Sequence, residues 1–196
     1  MYRGQHTSNV TGTWLLLHLL ESKEWRDRVL AEQREIMGSD GQGDFATYDQ
    51  VAQMKVLDQC LQETLRLHPP FFQLARRVTR DVLYKDTVIP EGRLVCISPG
   101  ATMRLPSLFP DASTFDPSRF DGTKSIENHA FVPFGGGRHI CTGRKFALTS
   151  IKTAVSWMLR NYEFETPEKL PLPDYTTMVV APSHTKGQCK VRYTKK

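Results

Sequence analysis

The chain has 196 residues, 39% hydrophobic and 24% charged, with a net charge of +5. That length can bury the core of one domain, and that composition excludes a disordered or fibrous chain. The mild basicity suits an acidic protein partner or an anionic membrane surface. No basic stripe interleaved with aromatics argues for nucleic acid.

Residues 1–20 read as a helix with apolar residues Val10, Trp14, Leu17 and Leu20. It opens without a cap, as if cut rather than started. Ser22 is expected to cap a second helix that runs to Met37, with Gly38 as its stop. Trp25, Val29 and Ile36 form its buried face, and Glu24, Arg26, Asp27 and Arg28 its solvated one. A Gly/Asp-rich loop from Gly38 to Asp44 follows, and Thr47 with Gln50 spells a capping box. A longer helix is expected from Val56 to His68, with Val56, Leu57, Cys60, Leu61, Thr64 and Leu65 buried; Pro69-Pro70 ends it.

Between residues 71 and 100 the period shortens to that of strands, at Val78, Val82, Tyr84, Val88, Leu94 and Cys96-Ile97. Pro90-Glu91-Gly92 supplies a turn, so a small antiparallel sheet is expected. Residues 105–133 are rich in Pro, Asp, Ser and Phe and show little periodicity. A long irregular stretch in a compact domain is normally functional or held by specific contacts. A helix from Thr142 to Arg160 and a hairpin from Tyr162 to Tyr193 close the chain, with no internal repeat and no linker.

The cysteines Cys60, Cys96, Cys141 and Cys189 are widely spaced, with no C-x-x-C pair. A disulfide framework or a tetrahedral zinc site is not expected, and a reducing compartment is the default. No signal-peptide pattern opens the chain. The longest apolar run, Trp14 to Leu20, is interrupted by His18 and is too short to span a bilayer.

The string Phe134-Gly135-Gly136-Gly137-Arg138-His139-Ile140-Cys141-Thr142-Gly143 places a cysteine behind three glycines and just before a helix. Glycines let the backbone fold tightly enough to aim amide N–H groups at the sulfur. The helix N-terminus favours the thiolate. This is chemistry for a metal-bound sulfur; the alternative is a free, buried cysteine at a glycine turn.

The string resembles the haem-ligand loop of cytochromes P-450, F-G-x-G-x-[RH]-x-C-x-G, at Phe134, Gly135, Gly137, His139, Cys141 and Gly143. The resemblance implies that Cys141 is the axial ligand of the haem iron, that Phe134 packs by the thiolate and that His139 reaches a haem propionate. Gly137 belongs to the same cofactor-binding loop. Glu63-Thr64-Leu65-Arg66 matches E-x-x-R, and Pro117-Ser118-Arg119-Phe120 matches P-x-R-F. By resemblance, Glu63, Arg66 and Arg119 form a buried network anchoring the irregular stretch, although an i,i+3 Glu/Arg pair taken alone is usually a surface pair. Arg76 aligns with a propionate-binding arginine; a solvated strand edge is the alternative for it and for Arg77.

Gly4-Gln5-His6-Thr7-Ser8 resembles the distal helix of the family, with Thr7 and His6 as a proton path. A lone histidine on a helix is otherwise a bland polar residue. Histidine in place of an acid is similar to the sterol 14-alpha-demethylase branch. So is the tail, Pro173 to Val180 and Gln188 to Tyr193, most of all in protozoan members. Met178 at the hairpin tip is the implied substrate contact.

The implied fold is mainly α with small antiparallel β-sheets, the C-terminal half of the cytochrome P-450 fold on the proximal side of the haem. Within it, 1–20 would be a distal-helix remnant, 71–100 a small β region, 105–143 the meander and ligand loop, and 142–160 the proximal helix. The implied activity is haem-thiolate monooxygenation, oxidative removal of the 14α-methyl of a lanosterol-type sterol. It would use haem b (iron protoporphyrin IX), O2, and electrons from NADPH through a flavoprotein reductase. Arg138, Arg144 and Lys145 are candidates to meet that reductase's acidic face. The full-length protein would sit at the cytoplasmic face of the endoplasmic reticulum membrane through an anchor absent from this sequence.

Family members are about twice as long, so a truncated or partial product is expected; a degenerate, non-catalytic fragment, or a monooxygenase of another substrate class, is the alternative. Departures from the family pattern are Arg3 at a normally small position, Thr142 beside the cysteine, Arg144 and Lys145 in a more basic loop, and Met103 and Leu105 in place of polar residues.

Overall fold

Apolar residues at helical spacing on four helices meet in one core. The computed structural model describes residues 2–38, 44–123, 125–165, 169–183 and 190–196, and of residues 2 and 3 the backbone alone. The Arg3 side chain, Gln188 and Cys189 therefore lie outside the described residues. Helix α1 is Tyr2–Glu21, α2 Lys23–Met37, α3 Tyr48–Gln53, α4 Lys55–Leu67, α5 Pro99–Thr102 and α6 Arg144–Asn161. Leu15 and Leu19 of α1, Val29 of α2, Leu57 and Leu61 of α4, and Ile151 and Val155 of α6 pack together. This burial is the main stabilising term. A Cβ on Gly12 would lie 3.8 Å from Ile151 Cγ2, so α1 and α6 approach closely there.

The local signals have mixed outcomes. The capping box holds: Thr47 accepts from the Gln50 amide, and the Gln50 side chain accepts from the Thr47 amide. Ser22 occupies the N-cap position of α2, but its side chain makes no capping hydrogen bond. Arg26, expected in solvent, is half-buried and donates to the Leu20 carbonyl at 2.9 Å. It thereby satisfies one orphan acceptor at the end of α1. Gly38 ends α2 at φ 76°, where a side chain would be strained. Helix α6 begins at Arg144 rather than Thr142, after Gly143.

The strands form separate two-stranded antiparallel ribbons. Strand β1 (Leu74–Arg77) pairs with β4 (Leu94–Ile97), and β2 (Val82–Tyr84) with β3 (Thr87–Ile89). In the tail, β5 (Tyr162–Phe164) pairs with β8 (Tyr193–Lys195), enclosing β6 (Pro173–Asp174) paired with β7 (Ala181–Pro182). The irregular stretch winds over a satellite core of Met103, Phe109, Ala112 and Ala130. Among the described residues, no helix is long and apolar enough to cross a membrane, and no three His, Cys, Asp or Glu side chains cluster to hold a metal.

Candidate functional site

The glycine string folds into a closed bend at the foot of α6. The Cys141 amide donates to the Phe134 carbonyl at 2.9 Å. Gly135 and Gly137 take φ of 71° and 62°, the left-handed region that glycine enters without strain. A Cβ on Gly135 would lie 3.5 Å from the His139 carbonyl oxygen, in van der Waals contact across the bend. A Cβ on Gly143 would lie 3.9 Å from the Cys141 Sγ. The sulfur thus sits at the N-terminal end of an 18-residue helix, where the helix dipole favours an anion. Cys141 is exposed, so the alternative of a buried cysteine does not hold.

The neighbours of the bend carry two further chemistries. Ile140 and Phe146, flanking the cysteine in sequence, are large apolar side chains left exposed, Phe146 at 78%. Exposed apolar surface of this kind marks a binding surface. His139 and Arg138 are exposed cations or potential cations of the same loop. Arg76 lies exposed on β1, where its guanidinium donates to the Ala75 carbonyl at 2.8 Å. Strand alternation puts Leu74 and Arg76 on one face of β1. Leu74 Cδ1 comes within 4.0 Å of a Cβ built on Gly135, so that face adjoins the bend. Phe134 is half-buried against the main core, with the Arg144 guanidinium 5.6 Å above its ring. An exposed soft sulfur, bare apolar side chains and loop cations are a donor set that fits a planar apolar group with a metal at its centre and anionic side groups.

A second constellation anchors the irregular stretch. Glu63 and Arg66 are both 0% exposed, so this i,i+3 pair is not the surface pair that such spacing usually makes. Arg66 Nε and Nη2 donate to the two Glu63 oxygens at 2.7 and 2.8 Å. Nη1 donates to the carbonyls of Met103 and Ala112 at 2.9 and 2.8 Å, and Nη2 also to that of Thr114 at 3.2 Å. Every guanidinium N–H therefore has an acceptor, which is what a buried arginine requires. The Asp116 amide donates to Glu63 Oε1 at 2.9 Å. Arg119 Nε approaches that oxygen at 3.4 Å as an ion pair rather than an aligned hydrogen bond. Arg119 Nη2 donates to the Asp111 carbonyl at 3.1 Å.

His6 is exposed and Thr7 half-buried near the start of α1. The hydroxyls of Thr7 and Ser8 both donate to the Gly4 carbonyl, at 3.1 and 3.0 Å. Met178 is exposed on the tail hairpin. The structure thus gathers Phe134, Gly137, His139 and Cys141 on one loop beside the strand of Arg76. It brings Glu63, Arg66 and Arg119 into direct contact, and leaves His6, Thr7 and Met178 outside both groups.

Sequence reasoning missed a buried aromatic stack between α1 and the end of α4. Trp14 lies flat on His68, ring centroids 3.7 Å apart, and His18 lies flat on Phe115 at 4.5 Å. Burial, with the Arg66 charge nearby, pushes the His18 pKa down to about 4. Burial, then His18, Arg104 and Arg66, pushes that of His68 down to about 2. Glu32 was also missed: its carboxylate accepts the Val56 and Leu57 amides at 2.6 and 3.1 Å, capping α4 from a different helix. Burial raises the Cys60 thiol pKa, so that cysteine is an inert core residue.

The family model described as cytochrome P-450 matches residues 1–190. The chain is 38% identical over its whole length to "Sterol 14-demethylase" of Arabidopsis thaliana, covering 41% of that protein. It is 38% identical to "Lanosterol 14-alpha demethylase" of Mus musculus over 98% of this chain and 38% of that protein. The counterpart from Cunninghamella elegans is 36% identical over 99% of this chain and 42% of that protein. The chain thus spans about two fifths of the length of these relatives.

Proposed function

This chain belongs to the cytochrome P-450 family, and from that premise we propose that it forms the proximal haem wall of a sterol 14-alpha-demethylase. The observation that carries the proposal is the exposed Cys141 in its glycine bend at the N-terminus of α6. The 14-demethylase relatives in a plant, a mammal and a fungus support the sterol class.

In this reading Cys141 ligates the iron of haem b, and Arg76 and His139 hold the propionates. A haem held by a thiolate supplies the activation of dioxygen that oxidises an unactivated methyl group. The Cys141 thiolate gains stability from the α6 N-terminus. Gly135 and Gly137 supply the left-handed backbone that closes the bend, and Gly143 keeps a side chain away from the sulfur. The Glu63–Arg66–Arg119 network does no chemistry: it ties α4 to the stretch at 103–119 and so fixes the approach to the ligand loop. Thr7, in reach of Gly4 and beside His6, offers an exchangeable hydroxyl proton on α1. Met178 contributes apolar surface to the sterol.

Electrons come from NADPH through a flavoprotein reductase whose acidic face meets Arg138, Arg144 and Lys145, all exposed. Such complementarity chiefly raises the association rate and weakens with salt. A sterol partitions into lipid, which supports a place at the cytoplasmic face of the endoplasmic reticulum membrane.

The test is reconstitution. The haem-loaded protein with reductase, NADPH, O2 and a lanosterol-type sterol should yield a sterol lacking the 14α-methyl, detected by mass spectrometry. Cys141→Ala should yield none. Turnover of fatty acids but of no sterol would overturn the substrate class, and sterol turnover by Cys141→Ala would overturn the ligand.

A further inference from the structure

We propose that Trp14 is a positioning residue that sets where the 175–178 bend presents its side chains, and hence how tightly a sterol is held. This rests on the sterol reading above. The Trp14 indole N–H donates to the Val180 carbonyl at 3.1 Å, across 166 residues of sequence. The Val180 amide in turn donates to the Pro70 carbonyl at 3.0 Å. Both backbone groups of Val180, two residues past Met178, are thus held by distant parts of the chain.

The indole that holds Val180 is itself immobilised. Trp14 is 1% exposed and lies flat on His68, with the ring planes 4° apart. Val179 packs against Val10, Trp14 and Leu17. The bend is stiffened locally as well. Asp174 Oδ1 accepts the Thr176 amide at 2.8 Å and its hydroxyl at 2.6 Å. The Thr177 hydroxyl donates to the Val179 carbonyl at 2.8 Å. On this fixed backbone Tyr175 and Met178 stand 50% and 74% exposed. Holding apolar side chains in water is unfavourable unless a ligand covers them. A rigid presenting backbone lets an apolar ligand bind without ordering the loop first.

Helix α1 links this bend to the proposed proton path. Thr7 and Trp14 are seven residues apart, two turns along one face of α1 and about 10 Å apart along its axis. One rigid helix therefore sets both the hydroxyl and the anchor of the apolar wall. The indole N–H joins a buried carbonyl, so removing the donor leaves that acceptor unpaired.

The experiment uses haem-loaded protein, wild type against Trp14→Phe. Phe keeps a ring on His68 and deletes the N–H. Sterol affinity is read from the absorbance change on titration, and backbone protection from amide hydrogen exchange over 175–180. We expect Trp14→Phe to weaken sterol binding about tenfold, to speed exchange at Val180, and to leave haem content and the reduced carbon monoxide spectrum unchanged. If Trp14→Phe misfolds, benzothienylalanine at position 14, which keeps the indole shape without the N–H, gives the same comparison. Unchanged sterol affinity in a folded variant overturns the positioning role. So does an equal loss of haem and sterol binding, which would make Trp14 merely structural. No sterol response from the wild type, with a normal carbon monoxide spectrum, would instead overturn the sterol reading.

Discussion

Replacing Arg66 by Met should nearly unfold the protein, and the structure says why. Five acceptors lose their donor at once: the two Glu63 oxygens and the carbonyls of Met103, Ala112 and Thr114. Glu63 stays behind at zero exposure, with only the Asp116 amide and the loosely aligned Arg119 as partners. Breaking a buried ion pair costs about 3–5 kcal/mol, and orphaned acceptors add to it. Against a typical stability of about 5–15 kcal/mol, a loss of about 4 leaves a marginal fold. With a urea slope of about 2 kcal/mol/M, the midpoint read by far-ultraviolet circular dichroism should fall by about 2 M. The double variant Glu63→Met/Arg66→Met sharpens the reasoning. Were the charge pair the whole effect, removing both partners would restore stability. Three carbonyls of the irregular stretch remain unpaired, so the double variant should stay at least about 2 kcal/mol below wild type. An Arg66→Met midpoint within about 0.3 M of wild type, or full recovery in the double variant, would refute the argument.

The histidine stack makes stability depend on pH. Both folded pKa values lie below the ordinary 6.5, at about 4 for His18 and about 2 for His68, so the unfolded chain takes up protons first. Stability from these groups is therefore full above pH 6.5 and lost as the pH falls, to about 4 for His18 and about 2 for His68. Each neutral histidine contributes a slope of about 1.4 kcal/mol per pH unit. Urea midpoints at pH 7, 6 and 5 should show it, and His18→Phe, which can keep a ring against Phe115, should roughly halve it; an unchanged slope contradicts the assignment. Gly100→Ala should destabilise by about 1–3 kcal/mol, because a Cβ there would come within 2.1 Å of the edge of the Phe72 ring, and the Ser98 hydroxyl and the Gly100 amide hold the Phe72 backbone in place. Thermal melting reads this, and wild-type stability would mean that the ring moves aside freely.

Much of the architecture was legible because it is written in local signals. The apolar spacing of α1, α4 and α6, the capping box at Thr47 and the double proline after α4 act over a few residues. The glycine bend around Cys141 was legible for the same reason. What escaped depends on meetings across the chain. His18 reads as a polar break in an apolar run, yet it is buried because Phe115, far along the chain, supplies a flat face for it. Glu32 of α2 caps α4, a contact that no local pattern announces. Ser22 had the right residue type in the right place and still makes no capping bond. Spacing alone suggested that Glu63 and Arg66 pair, while only the fold reveals the three carbonyls that make the pair a buried junction.

The central claim is that the Cys141 sulfur holds a haem iron, and the spectrum of the haem-loaded, reduced protein under carbon monoxide tests it most directly. A red-shifted Soret band, characteristic of a thiolate ligand, should appear for the wild type and vanish in Cys141→Ala. A band at the position given by a neutral ligand in the wild type, or a red-shifted band that survives in Cys141→Ala, would contradict the account.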